Sequence, residues 1–238
     1  MIKIENLRKT FATKIAVNDL TLDVPDGVVY GFLGPNGAGK TTTIKMIVGM
    51  LRQDSGKIEI DGINTIDQPI ESKKKFAYVP DNPDIYENMT ARGYLNFMAD
   101  VFSISLEKRN ENIKKYAEIF EMTDNLDATI SALSHGMKQK IVLIGALIHE
   151  PRLLILDEPM VGLDAKSSFR LKNIMREVAE GGGSVFFSTH VMEVAEKMCD
   201  EIAIINKGKL IAEGSLDDIK AAVKDSGSLE KIFLDLTE

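Results

Sequence analysis

The stretch Gly34-Pro35-Asn36-Gly37-Ala38-Gly39-Lys40-Thr41-Thr42 decides the fold. It fits G-x-x-x-x-G-K-[ST], a loop that binds phosphate. Its three glycines let the backbone curl and turn N–H groups inward, a concave row of donors suited to a polyphosphate. Lys40 adds a cation for the β- and γ-phosphates, and Thr41 offers a hydroxyl to Mg²⁺. The flanks agree. Val28-Val29-Tyr30-Gly31-Phe32-Leu33 reads as a buried strand, and Ile44, Ile47, Val48 and Leu51 recur at helical spacing. The loop is therefore expected at a helix N-terminus, where the dipole favours anions.

Outward from the loop, strands are predicted near Ile2–Ile4, Ala16–Val24, Lys57–Ile60, Phe76–Val79, Leu153–Asp157, Ser184–Ser188, Ile202–Ile205 and Lys209–Ala212. Several are continuous apolar runs, as strands buried on both faces of an α/β sheet read. Ala16–Val24 instead alternates, with Leu20, Leu22 and Val24 on one face, which predicts a half-exposed antiparallel sheet. From Asn88 the texture turns helical, with Tyr94-Leu95, Phe97-Met98, Val101-Phe102, Ile113, Tyr116-Ala117 and Ile119-Phe120 at helical spacing. A helical subdomain over about 88–150, inserted in one domain of residues 1–238, is expected. Lys73-Lys74-Lys75 reads as a solvated helix face, and Gly181-Gly182-Gly183 as the turn between a helix and the next strand.

A second carboxylate-bearing strand completes the chemistry. Leu153-Leu154-Ile155-Leu156 runs into Asp157-Glu158-Pro159. A strand-end Asp beside a phosphate loop holds Mg²⁺, and Glu158 can activate water as a general base. Ser134 and Gly136 open the helix containing Ile141–Ile148, which taken alone reads as a plain serine N-cap; its hydroxyl and backbone N–H groups also suit a phosphate.

Together these motifs resemble the nucleotide-binding subunit of an ATP-binding cassette (ABC) transporter, over essentially the whole chain and in family order. Leu133-Ser134-His135-Gly136-Met137-Lys138-Gln139 resembles the family signature Leu-Ser-Gly-Gly-Gln, Gly162-Leu163-Asp164 the D-loop, and Ser188-Thr189-His190 the strand ending in the switch histidine. The resemblance implies the ABC ATPase fold: a phosphate-loop domain with a mainly parallel core sheet, an N-terminal antiparallel β subdomain and the helical insert. It implies ATP and Mg²⁺ as ligands, Glu158 and His190 in catalysis, and Ser134 and Gly136 closing in trans over ATP on a second subunit. Asp164 would couple the two sites. The helical insert and the Asp81–Asn88 loop would dock on a membrane-spanning transporter subunit. Dimerisation with an identical or a different ATP-binding subunit fits equally. Phe11 lies where the family stacks an aromatic on adenine; core packing explains it as well. Ser228-Leu229-Glu230-Lys231-Ile232-Phe233-Leu234 resembles the tail of bacterial exporter-type subunits.

Two positions depart from the family. Asp81 follows Tyr78-Val79-Pro80 where the family has glutamine, and is expected to contact the metal only indirectly. His135 replaces the first signature glycine and is expected to narrow the trans site without abolishing function.

Composition narrows the alternatives. The 238 residues carry 29 basic and 36 acidic side chains, a net charge of −7, which disfavours a broad nucleic-acid surface. No nucleic acid is expected as a partner. The runner-up is a soluble ABC-type ATPase acting on nucleic acid or ribosomes. The stretch between Lys40 and Ser134 is too short for the long coiled coil of chromosome-structure members, and the chain has one cassette where translation factors usually have two. A GTPase would want Asn-Lys-x-Asp, and Asn206-Lys207-Gly208-Lys209 ends in the wrong charge. Met1-Ile2-Lys3-Ile4-Glu5 carries no signal-peptide pattern and the longest apolar run, Ile141–Ile148, is too short to span a bilayer. A cytoplasmic protein held at the inner face of the membrane through its partner is expected. Cys199, the single cysteine, reads as a small apolar residue near a helix end.

Overall fold

The computed structural model describes residues 1–223 and 229–237. Strands β1 (Ile2–Phe11) and β2 (Lys14–Val24) form a long hairpin and β3 (Val29–Leu33) leads into the phosphate loop and helix α1 (Lys40–Ile47). Strands β4 (Ser55–Ile60) and β5 (Ile63–Asn64), helix α2 (Pro69–Lys73) and strand β6 (Phe76–Val79) follow. Helices α3 (Ala91–Val101), α4 (Leu106–Ile119) and α5 (His135–Leu147) come next, with two short 3₁₀ turns between the last two. The chain closes with β7 (Leu153–Leu156), α6 (Ala165–Glu180), β8 (Ser184–Thr189), α7 (Met192–Met198), β9 (Glu201–Asn206), β10 (Lys209–Gly214), α8 (Leu216–Val223) and α9 (Leu229–Thr237).

Two sheets result. One is antiparallel, in the order β2-β1-β4-β5; the other runs β10-β9-β3-β8-β7-β6, parallel throughout except for the β9–β10 edge pair. The alternation in β2 has its expected cause: Val17, Leu20, Leu22 and Val24 are buried against α1 and the parallel sheet. Every residue of β3, β7 and β8 is buried, as strands covered on both faces require. Phe186 and Phe187 of β8 are fully buried on opposite faces, in two different core clusters. A third cluster joins Leu33 and Met192 to Ile219, Leu229 and Ile232 of the two C-terminal helices. Ser228, the first residue of the exporter-like tail, lies outside the described residues.

Several boundaries differ from the sequence reading. β1 runs on from Ile4 to Phe11, because bulges let it keep pairing where Asn6 takes φ 49°. β5 has two residues, too few to leave an alternation. α1 stops at Ile47, so Leu51 lies beyond it. Gly49 takes φ 71° and the N–H of Met50 donates to the Lys45 carbonyl at 2.8 Å, a glycine-terminated helix end that closes the last carbonyls early. Cys199 does sit at the end of α7, packed where a Cβ on Gly31 would come within 2.6 Å of its Sγ. Burial pushes its thiol pKa up, so the group stays a protonated, inert filler.

Register explains why the candidate residues converge. Leu33 pairs with Thr189, Leu156 with Phe187 and Val79 with Leu156. β3 and β8 therefore end level, as do β6 and β7 two residues short of them, and Gly34, Asp157, His190 and Asp81, each one or two residues past a strand end, lie along the carboxyl edge, where open α/β sheets bind ligands.

Candidate functional site

Gly39 caps α1 in the left-handed region at φ 112°, and a Cβ there would lie 2.5 Å from the Ala16 carbonyl oxygen. Only glycine meets both demands. The contact also presses the phosphate loop onto β2, and the Gly208 N–H ties the same loop to the β9–β10 turn through the Ala38 carbonyl at 2.8 Å. Gly37 takes φ 79° with open space around it. Lys40 is only 6% exposed; its Nζ donates to the Gly34 carbonyl at 2.7 Å and stands 3.4 Å from Glu158 Oε1.

Glu158 holds the centre. Its backbone takes φ 46°, a left-handed conformation that costs a non-glycine residue about 1–3 kcal/mol and is kept where the surroundings dictate it. Here its N–H donates to Ser188 Oγ at 3.0 Å, and its other carboxylate oxygen lies 3.0 Å from His190 Nδ1. The His190 ring presents Nδ1 to this carboxylate and is half-exposed.

Asp157 is fully buried. Ser188 Oγ donates to its Oδ1 at 2.5 Å, while Oδ2 is sealed from solvent without a hydrogen bond. Burial pushes the Asp157 carboxyl above the usual carboxylate range. The Ser188 and Thr41 hydroxyls pull it back, Thr41 acting without closing a hydrogen bond, and Asp81 and Glu158 add to the rise. A buried carboxylate oxygen with no partner, beside a threonine hydroxyl, suits a hard cation that takes its remaining oxygens from phosphate and water. Among the described residues no group of three or more acidic, histidine or cysteine side chains forms a self-sufficient metal cage. The donor set therefore fits Mg²⁺ carried on a nucleotide.

A cavity of about 340 Å³ is lined by Phe11, Lys14, Ala16, Pro35, Asn36, Gly37, Gly39, Lys40, Thr41, Thr42, Asp81 and Glu158. Phe11 is 47% exposed on the wall of this cavity, with Lys9 Nζ over its ring 5.6 Å from the centre, so it is not a core residue. Asp81 lines the same cavity, its Oδ1 accepting from the Asn82 N–H at 3.0 Å. Gly34 and Ala38 support the loop from behind; a Cβ on Gly34 would strike the Ile205 carbonyl at 2.4 Å.

Ser134, Gly136 and Asp164 stand apart from that cavity. Ser134 caps α5, its hydroxyl accepting from the Met137 N–H at 3.3 Å. Asp164 caps α6, accepting from the Ser167 N–H at 2.8 Å, and Lys140 Nζ lies 2.7 Å from its other oxygen. Lys140 and Ser167 hold the Asp164 carboxyl well below the usual range. His135 is exposed and turns its ring onto Gly162. Sequence reasoning missed Ser188 as the bridge between the two carboxylates, and missed Lys140. One hydroxyl at a strand end and one lysine on a helix carry no local signal; their partners are about 30 and 24 residues away in the chain.

The geometry defines a phosphate-loop nucleotide site on a two-sheet cassette. A family profile described as ABC transporter matches residues 17–161. The chain is 36% identical to the linearmycin resistance ATP-binding protein LnrL of Bacillus subtilis over 92% of this chain and 70% of that one. It is 31% identical to the ABC-type transporter ATP-binding protein EcsA of the same organism, over 100% and 97%. A solved ATP-binding subunit of an ABC transporter superposes with a TM-score of 0.96 at 32% identity, covering both chains fully. The cassette MJ0796, solved as a dimer with ADP and Pi, shares the fold at TM-score 0.82 and 22% identity, over 91% of this chain and 99% of that one. This chain belongs to the ABC transporter family, as an ATP-binding subunit with the ABC ATPase fold. No helix among the described residues is long and apolar enough to cross a membrane.

Proposed function

We propose that this subunit hydrolyses ATP to drive a separate membrane-spanning subunit, in the direction of export. One observation carries the hydrolytic reading: Glu158 is clasped between Lys40 at 3.4 Å and His190 at 3.0 Å, at the mouth of the phosphate loop. The loop N–H groups and Lys40 bind the phosphates, and Phe11 stacks on the base. Stacking needs no base-specific hydrogen bond, so GTP is accepted too. Thr41 and Asp157 hold Mg²⁺, which when bound offsets charge on the phosphate oxygens. Glu158 accepts the proton of the attacking water, and His190 donates to the γ-phosphate. Asp81 acts on the metal through water.

Two such subunits, identical or different, close over two ATP, each lying between one phosphate loop and the opposite Ser134 and Gly136. An apolar groove of about 330 Å³, lined by Val48, Met50, Phe76, Tyr94, Val101 and Phe102, opens between α1 and the inserted helices. With the Asp81–Asn88 loop it supplies the docking surface for the membrane subunit, which places this chain on the cytoplasmic face. The export direction is supported by the Nod factor export ATP-binding protein I of Burkholderia lata, a 35% identical relative.

The test is Glu158→Gln. Removing the base while keeping the shape leaves nucleotide binding intact, lowers turnover about 100-fold or more, and makes an ATP-bound dimer accumulate on size exclusion. Wild-type turnover in that variant removes Glu158 as the base. Affinity capture of the tagged chain from detergent-solubilised membranes separates the transporter reading, which expects a stoichiometric polytopic protein, from a soluble ATPase bound to ribosomes.

A further inference from the structure

The nucleotide cavity carries more negative charge than its lysines offset. Asp81 and Glu158 stand on its wall, and Asp157, the residue before Glu158, is buried with one carboxylate oxygen sealed and unpartnered. Against these three carboxylates the wall offers two cations, Lys14 and Lys40. Lys40 is already engaged, by Glu158 at 3.4 Å and by the Gly34 carbonyl at 2.7 Å. Lys14 is the register partner of Phe11 in the β1–β2 hairpin, beside the ring assigned to the base. Asp81 is exposed, and among the described residues no cation stands within ion-pair distance of it; its Oδ1 accepts the N–H of the next residue, Asn82, at 3.0 Å. Its charge also reaches inward. It adds to the rise of the Asp157 carboxyl, which burial begins, and to that of the Tyr78 phenol, which burial and Asp157 begin.

We propose that Asp81 makes nucleotide binding conditional on metal: its unpaired carboxylate repels the bare triphosphate and accepts the metal-bound form. This rests on the nucleotide site proposed above and makes Asp81 a specificity residue of that site. A triphosphate without metal brings only further negative charge to the wall, and a cleft with low-dielectric sides strengthens the repulsion. With a dication on the phosphates the sign at Asp81 reverses, because the carboxylate then faces positive charge, across one water or less. A neutral amide at this position offers a metal-bound water the same oxygen without the charge, and sets no such condition.

The experiment titrates a fluorescent ATP analogue into nucleotide-stripped wild type, Asp81→Asn and Asp81→Glu, with excess magnesium and with EDTA in its place, at low and high salt. Asparagine keeps an oxygen for the Asn82 N–H, so the turn is retained. Wild type is expected to bind the analogue about tenfold or more weakly in EDTA than in magnesium. Asp81→Asn narrows that ratio about fivefold or more by gaining affinity in EDTA, while its affinity in magnesium stays within about threefold. By linkage, repeating the series with Mn²⁺ and reading the metal by electron paramagnetic resonance shows the analogue-loaded Asn variant holding the ion more weakly by the factor that its ratio loses. Asp81→Glu keeps the charge and keeps the ratio. The difference between wild type and the Asn variant shrinks at high salt, where exposed charges are screened. Equal ratios in wild type and Asp81→Asn overturn the proposal, as does a ratio that collapses in Asp81→Glu as well, which marks a defect of position and not of charge. Loss of binding in magnesium by Asp81→Asn also overturns it, since Asp81 is then an obligate ligand. A wild type that binds the analogue in neither condition instead overturns the nucleotide-site reading itself, before any variant is compared.

Discussion

Ser188 Oγ lies 2.5 Å from Asp157 Oδ1 and also accepts the Glu158 N–H at 3.0 Å, so one hydroxyl on β8 sets both carboxylates at the end of β7. The two strands are neighbours in the parallel sheet, with Leu156 opposite Phe187. The hydroxyl thus fixes Asp157 by donating and Glu158 by accepting, and with Glu158 comes its reach to Lys40 and His190.

Ser188→Ala therefore removes two hydrogen bonds at a buried point. Leaving a buried carboxylate oxygen and an N–H unpaired costs about 1–3 kcal/mol, read as a lower midpoint in thermal or urea unfolding. The same variant loses kcat more than KM, because Glu158 loses its orientation while the phosphate loop keeps its shape. Equal unfolding midpoints for the two proteins would contradict the bridging role.

Lys40→Ala acts on binding itself. The ammonium is buried against the loop carbonyls and faces the cavity, so its loss removes a charge-assisted contact of about 1.5–3 kcal/mol, or roughly 10–100-fold in nucleotide affinity. Nucleotide titration by fluorescence or calorimetry reads this directly. Retained affinity would mean that the loop N–H groups alone hold the phosphates.

Phe11→Ala tests the exposed ring. Stacking of a base on an aromatic side chain is worth about 1–3 kcal/mol, so affinity for ATP drops about fivefold or more. GTP is weakened to the same degree, since the ring reads a face and no edge. A change confined to ATP would require a base-specific contact elsewhere.

His149 gives a pH dependence. Burial pushes its imidazole down to about 4, against about 6.5 in an unfolded chain. The folded protein resists the proton that the unfolded chain accepts. This contribution is complete above about pH 6.5 and is lost as pH falls through 6.5 to 4, by up to about 3 kcal/mol. His149→Phe keeps a ring to stack on Phe102, where the present rings are 3.6 Å apart, and removes the titration. The stability of the variant relative to wild type should rise between pH 6.5 and pH 4; a constant difference would show that His149 is not the group responsible.

Much of the architecture was legible because burial on both faces of a sheet leaves long apolar runs. β3, β7 and β8 could be placed within a residue or so, and the family order of the motifs named the fold. The limits of reading appear where structure depends on partners far away. β1 looks finished at Ile4, since Asn6, Arg8 and Lys9 break the apolar run; it continues because β2 and β4 flank it and bulges absorb the misfit. Leu51 keeps helical spacing, yet Gly49 has already turned the chain. Phe11 fits a core or a stacking platform equally in sequence, and its 47% exposure on the cavity wall excludes the core.

By itself, the sequence determined the phosphate loop, the strand-end carboxylates Asp157 and Glu158, and the serine-capped helix at Ser134. Each is a local consequence of residue types acting within a few positions: glycine conformations, continuous apolar runs and a hydroxyl before a helix. Only the tertiary structure decided that Glu158 is clasped by Lys40 and His190, that Ser188 steers both carboxylates, and that Asp164 is shared between the cap of α6 and Lys140. Those relations depend on strand order and register, which place residues distant in the chain within a few ångströms, and no short-range pattern encodes that distance.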